Sequence, residues 1–230
     1  MTVINAWLPA GKVLPRHQHA KPYITLVVRG RYHETGDQGR FRVGPGDILV
    51  HGAFASHANA VFADNDITTL NIEVDEVPDS VSACTTPEFD TVVRLSASDP
   101  AEAVQTLTAS LQPRAPLLED WPDIIAKGIS DDPVKPIGYW CQKLGLASST
   151  VSRGFKRAFG VSAAHYRATS RARKAYHALT HSNLRLVEIA GQCGYADQAH
   201  FTRAIRTLTG APPSYWRQVK YLQDGDFSQA

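Results

Sequence analysis

Residues 186–217 read LVEIAGQCGYADQAHFTRAIRTLTGAPPSYWR, and their punctuation decides the fold of the carboxy-terminal half. A short apolar helix over 186–190 is followed by a turn at Gly194. A second helix then starts at Asp197, with Phe201, Ile205 and Leu208 spaced i, i+4 and i+7 along one stripe. Asp197 stands where a carboxylate can accept from the free amides of a first helical turn, so it is read as a cap. With that stripe buried, Gln198, His200, Thr202, Arg203 and Arg206 are left outside. The pattern occurs again upstream. A helix over 137–144, a turn at Gly145 and a second helix over 147–159 bury Val151, Phe155 and Ala158. Ser148, Ser149, Thr150, Ser152, Arg153, Lys156 and Arg157 then face outward. These are two helix-turn-helix units in tandem. The helical stretch 163–179 between them is about 25 Å long at 1.5 Å per residue. That reach can place the two second helices in major-groove segments about one turn of DNA apart.

Charge singles out the same region. Residues 134–221 carry fourteen Lys and Arg against two acids, Glu188 and Asp197, a net +12. Residues 1–130 carry ten basic and sixteen acidic side chains, a net −6, so the formal total of +2 hides a polar chain. A concentrated cationic surface on a small helical module is the footprint of a phosphate-backbone binder. Hydroxyls, amides and arginines near a helix N-terminus are the side chains that reach base edges, and double-stranded DNA is the expected partner.

The first ninety residues read differently. Residues 24–28 (ITLVV), 40–43 (RFRV), 48–50 (ILV), 57–62 and 68–74 form short apolar or alternating runs, with turns at Arg29-Gly30, at 36–39 and at 44–47. Many short strands at this spacing predict an antiparallel sandwich or small barrel. Residues 75–87 read as a loop, and Pro113 and Pro116 as breaks. Ser98-Asp99-Pro100 opens a helix with a stripe of Val104, Leu107 and Leu111, suited either to its own domain or to a copy in a homodimer. Trp121-Pro122 opens a shorter helix carrying Ile124 and Ile125 and ending near Gly128. The expected fold class is therefore α+β in two domains. Residues 1–90 are an antiparallel β-barrel for sensing or dimerisation, 91–133 a helical linker, 134–221 an all-α double helix-turn-helix, and 222–230 a tail.

The 230 residues suffice for two domains, and 43% are apolar. No run of about eighteen apolar residues occurs, and the amino-terminal stretch lacks a charged start before an apolar core, so membrane insertion and secretion are not expected. Cys84, Cys141 and Cys193 are odd in number and far apart, which suits a reducing cytoplasm, and the latter two read as small core residues.

The segments LGLASSTVSRGFKRAFGVSAAHYRATSRARKAYHAL (144–179) and LRLVEIAGQCGYADQAHFTRAIRTLTGAPPSYWR (184–217) resemble the double helix-turn-helix DNA-binding domain of AraC-type (AraC/XylS) transcriptional regulators. The resemblance spans about residues 136–217. It implies base contacts from Ser149, Ser152 and Arg153 in the first unit and from Gln198, His200, Thr202 and Arg203 in the second. Lys156, Arg157 and Arg206 fall on or near backbone-contact positions. The resemblance departs at Gly154, where the family usually has a larger apolar residue; a mid-helix glycine costs about 1 kcal/mol relative to alanine.

GKVLPRHQHAKPYITLVVRG (11–30) and GRFRVGPGDILVHGAFASH (39–57) are similar to the two cupin motifs, with Gly11, His17, His19 and Gly30 in the first and His57 closing the second. Cupins are small β-barrels, so the resemblance agrees with the strand pattern. It implies a metal set of His17, His19 and His57, with Tyr23 where the motif glutamate belongs. Three imidazoles can hold a divalent transition metal. Losing the carboxylate removes charge compensation and weakens the case for oxygen-activating iron. The same histidines can instead line or cap the barrel as neutral hydrogen-bonding groups. His51 lies on a strand near His57 and can substitute as a ligand, whereas His33 reads as surface. An AraC-type chain with a cupin-like domain is expected to bind a small-molecule effector, to dimerise, or both. The competing reading is a metal-dependent cupin enzyme with a helical appendage.

Overall fold

The computed structural model describes residues 2–37, 39–77, 82–114 and 120–223. Gln38, Pro116, residues 78–81 of the stretch read as a loop and most of the 222–230 tail lie outside them; residues 83–85 of that stretch form a strand paired with β-structure on both sides, not a loop. The chain divides into two compact units, Met1–Asp123 and Ile124–Ala230.

The first unit contains β1 (Val3–Leu8), β2 (Val13–Gln18), β3 (Tyr23–Arg29), β4 (Tyr32–Gly36), β5 (Gly39–Val43), β6 (Ile48–His51), β7 (Ser56–Val61), β8 (Ile67–Glu73), β9 (Ala83–Thr85) and β10 (Gln112–Pro113). Two helices, α1 (Phe89–Ser98) and α2 (Pro100–Ser110), lie between β9 and β10. The strands form a six-stranded sheet in the order β1-β8-β3-β6-β9-β10 and a four-stranded sheet in the order β2-β7-β4-β5. Every pairing is antiparallel. This is the strand-rich first domain that the sequence predicts.

Two apolar clusters explain which strands read as continuous runs. Val27, Tyr32, Phe41, Val43, Leu49, Val61 and Ile67 bring both sheets into one core. On the other face of the six-stranded sheet, Ile24, Leu26, Ile48, Val50, Leu70 and Ile72 pack with Val92, Ala103 and Leu107 of α1 and α2. β3 and β6 are covered on both faces, so YITLVV and ILVH carry no polar alternation. β4 is covered on one face only: Tyr32 and Glu34 are buried while His33 between them is exposed. The α2 stripe meets its own sheet, with Val104 and Leu111 packed beside Leu107. Asp99 caps this helix by accepting from the Glu102 N–H at 3.0 Å. α1 had no counterpart in the sequence reading, which began the first helix at Ser98-Asp99-Pro100.

α3 (Trp121–Asp131) carries the boundary between the units. The second unit continues through α4 (Ile137–Leu144), α5 (Ser148–Phe159), α6 (Ala163–His181), α7 (Leu186–Gln192), α8 (Gln198–Thr209) and α9 (Pro213–Gln223). α3 does not stop near Gly128, as its sequence suggests; it runs one turn further. Gly128 is there for packing, because a Cβ on it would lie 2.0 Å from Cη2 of the Trp140 indole, a ring only 5% exposed. Gly128→Ala is expected to cost about 1–3 kcal/mol by overpacking. A denaturation midpoint equal to the parent's would show that the indole has another place to go.

α6 is the spine of this unit. Its first half meets α5 through Phe155, Phe159 and Tyr166, whose ring centroids lie 4.6–5.3 Å apart. Its second half meets α7 and α8 through Ala175, Leu179, Ile189, Phe201 and Ile205. On α5 the third inward position is Phe159 rather than Ala158, which is half-buried, as is Leu208 on α8. α5 stays continuous through Gly154. All three cysteines are buried free thiols. Among the described residues, no helix is long and apolar enough to cross a membrane.

Candidate functional site

In both helix-turn-helix units the second helix is pinned from below and left bare above. On α5, Val151, Phe155 and Phe159 face the core, while Ser149, Ser152, Arg153, Lys156 and Arg157 are exposed. On α8, Phe201 and Ile205 are buried and Gln198, Arg203 and Arg206 are exposed. His200 and Thr202 are half-buried, and the His200 ring rests edge-on against Tyr195 at 5.2 Å. Asp197 is the cap that the sequence suggests, its carboxylate accepting from the His200 backbone N–H at 2.6 Å. At the start of α7, Glu188 accepts from the Arg185 backbone N–H at 2.7 Å and so satisfies a free donor of the first turn.

The cations of the module divide into two kinds, which the sequence did not separate. Arg167 donates to the carbonyls of Val134 and Lys135, both at 2.6 Å. Arg171 donates to the Gly194 carbonyl at 3.2 Å and lies over the Tyr195 ring. Arg217 clamps the carbonyls of Ser182 and Leu184. These guanidiniums hold loops in place while adding to the field. Arg153, Lys156, Arg157, Lys174, Arg203 and Arg206 are exposed.

The barrel gathers a second cluster. Strand register brings His17 opposite His57 on β2 and β7, and Tyr23 opposite His51 on β3 and β6. His17 Nε2 lies 2.9 Å from His57 Nε2, and the ligand atoms of His17, His19 and His57 all fall within 4.8 Å of one another. The three residues named by the cupin resemblance are thus brought together, His17 half-buried and His19 exposed. Tyr23, at the glutamate position, turns its hydroxyl to His57 Nε2 at 3.1 Å. Imidazoles are donors that divalent transition ions take, but this trio has no carboxylate to compensate the charge and its His19 is exposed.

Beneath these residues lies one the sequence reading missed. Glu34, 4% exposed, places Oε2 3.6 Å from His57 Nδ1 and 3.8 Å from His51 Nε2. The available signal was its place in β4, where it alternates inward with Tyr32. Burial raises the Glu34 carboxyl to about 8. Burial, with His17, His19 and Arg16 nearby, lowers His57 to about 3. His51 is held well below its usual value by burial and by His57, His19 and His17. His19 is lowered by burial and by His17. Neutral imidazoles are the form that binds metals.

A family model described as a helix-turn-helix domain matches residues 140–218. Over 93 residues the chain is 30% identical to the HTH-type transcriptional activator RhaR of Cronobacter sakazakii, which covers 40% of this chain and 33% of that protein. Over 85 residues it is 29% identical to RhaR of Salmonella arizonae, covering 37% of this chain and 30% of the relative. The chain therefore spans about a third of the length of the curated relatives it matches. Among solved structures, the C-terminal domain of AraT, a response regulator from Geobacillus stearothermophilus, aligns at 24% identity and a TM-score of 0.43, over 45% of this chain and 88% of that one. The matched residues begin within α4 and end within α9, taking in the second helix of each helix-turn-helix unit and the α6 spine.

Proposed function

We propose that the protein is a sequence-specific, DNA-binding transcriptional regulator in which the barrel senses a small molecule or metal ion and the helical module reads the operator. The observation that carries this reading is the pair of outward faces of α5 and α8, each pinned to α6 and set in a segment of net +12. Base contacts fall to Ser149, Ser152, Arg153, Gln198, His200, Thr202 and Arg203, and phosphate contacts to Lys156, Arg157 and Arg206. The relatives that match the module are transcriptional activators, which favours regulation over the enzyme reading. The protein acts as a cytoplasmic homodimer, with residues 1–90 sensing or dimerising and 134–221 reading DNA. An effector shifts DNA affinity only by as much as it prefers one domain arrangement over the other.

The test begins with selection of a preferred duplex from a randomised pool, followed by fluorescence anisotropy. Arg203→Ala is expected to lose about 1–3 kcal/mol on the selected site and to relax preference at one base position. Equal affinity of variant and parent for that site would remove Arg203 from the interface. Failure to select any sequence would remove the reading itself.

A further inference from the structure

We propose that the barrel holds a divalent first-row transition ion of the Zn2+ class on Glu34, His51 and His57, beneath His17 and His19 rather than among them. The proposal deepens the sensing half of the function above and does not depend on DNA binding. It follows from a chain of hydrogen bonds that leaves little freedom. His17 Nδ1 lies 2.8 Å from the Pro15 carbonyl, which only accepts, so His17 carries its proton on Nδ1 and its lone pair on Nε2. His57 Nε2, 2.9 Å from that lone pair, must then be the donor. A neutral imidazole has one proton, so the His57 lone pair sits on Nδ1 and points away from His17, towards Glu34 and His51.

What it meets there is an incomplete polar site. Glu34 Oε2 and His51 Nε2 are buried without a hydrogen-bond partner, and such atoms are rare enough in folded proteins to need a reason. Glu34, His51 and His57 are 4%, 6% and 5% exposed, and they line a cavity of about 10 Å3. One ligand atom from each lies within 4.8 Å of the others. With the His51 Nδ1–H facing the His57 Nδ1 lone pair at 3.2 Å, the His51 lone pair sits on Nε2, and the ligand-atom separations to Glu34 Oε2 are 3.6 Å from His57 Nδ1 and 3.8 Å from His51 Nε2. Ligand atoms around a tetrahedral ion with bonds of about 2.0–2.1 Å stand about 3.3–3.4 Å apart, so small ring rotations close the shell. The carboxylate that the motif lacks at Tyr23 is supplied from β4, and two imidazoles with one carboxylate form a charge-compensated donor set. His17 becomes a positioning residue, accepting from the His57 Nε2–H and fixing its tautomer.

The full-length chain, purified without a histidine tag and stripped with chelator, is titrated with Zn2+ and followed by native mass spectrometry and X-ray absorption. One Zn2+ per chain is expected, with two imidazoles and oxygen in its shell. Glu34→Gln should weaken it by more than about a hundredfold, beyond the 10–100-fold typical of outer partners. His17→Ala should weaken it by about 10–100-fold while the imidazole count stays at two. His19→Ala should leave affinity and stoichiometry unchanged. Three imidazoles around the ion, or loss of the ion in His19→Ala with retention in Glu34→Gln, would place it in the outer trio and overturn the proposal. No stoichiometric Zn2+ on the parent would make the cluster a hydrogen-bonded network. If Glu34→Gln fails to fold, the absorption spectra of the parent and of His19→Ala still decide. Selected-duplex binding on the same samples keeps the two readings apart: loss of DNA binding alone leaves the ion site standing, and loss of Zn2+ alone leaves the DNA reading standing.

Discussion

Raising monovalent salt from about 50 to 200 mM should weaken binding to the selected duplex by about a thousandfold, the fall expected when about six phosphates are neutralised. The number comes from sorting the cations of the module. Of the exposed cations, Lys135, Lys143 and Arg185 lie against Asp132, Trp140 and Glu188, and the other six, Arg153, Lys156, Arg157, Lys174, Arg203 and Arg206, are the candidates for the counterion-releasing surface. Arg167, Arg171 and Arg217 have carbonyl partners and contribute mainly field and order. Plotting log affinity against log salt should give a slope near −5, following about −0.9 per phosphate. Lys156→Ala should flatten that slope by about one and weaken all sequences alike, which separates it from Arg203→Ala. Arg217→Ala should instead lower stability, since it leaves two carbonyls without their clamp. A slope near zero would mean that the +12 segment is a solvated face, and the DNA reading would go with it.

Legibility in the sequence followed how local each signal is. The recognition helices were readable because a helix on a small spine must place its apolar residues at i, i+4 and i+7, and Phe201, Ile205, Val151 and Phe155 do so. The cap at Asp197 is equally local. Ala158 was misplaced because Phe159, one position on, also reaches the core and makes the larger contact with Phe155 and Tyr166. Gly128 looked like a stop because glycine ends helices more often than it receives an indole from the next one. The histidine trio was legible through a motif, but its deeper neighbour was not. Glu34 enters the site only because β4 pairs with β7 while the opposing sheet brings His51, and neither pairing is written within ten residues of the glutamate. The structural arginines were hidden for the same reason, since their carbonyl partners lie 23 to 35 residues away in sequence.

Gly30→Ala should cost more than about 4 kcal/mol, the range reserved for changes the fold cannot absorb, while Gly11→Ala should cost only about 1–2 kcal/mol. Both glycines belong to the same motif and both have positive φ, +82° and +71°, so the backbone penalty for a side chain is shared. They differ in what a Cβ would meet. At Gly11 nothing lies within 4 Å. At Gly30 the new carbon would sit 2.1 Å from the Asp66 carbonyl oxygen and 2.8 Å from Ile67 Cα, main-chain atoms that have nowhere to retreat. Ile67 is 2% exposed in the core shared by the two sheets. The turn before it is tied down on both sides, Asp66 accepting from the Ala10 N–H at 2.8 Å and Asn65 from the Arg31 N–H at 2.6 Å. Moving the turn would therefore break those bonds or pull Ile67 out of the core. Chemical denaturation of the two variants beside the parent isolates the steric part by difference. Equal midpoints for Gly11→Ala and Gly30→Ala would show that the Gly30 turn yields. Gly30 joins β3, which pairs with the β6 strand that carries His51, to β4, which carries Glu34, so a turn that moves also disturbs the residues of the proposed ion site. Gly30→Ala should therefore lose Zn2+ under conditions in which Gly11→Ala retains it.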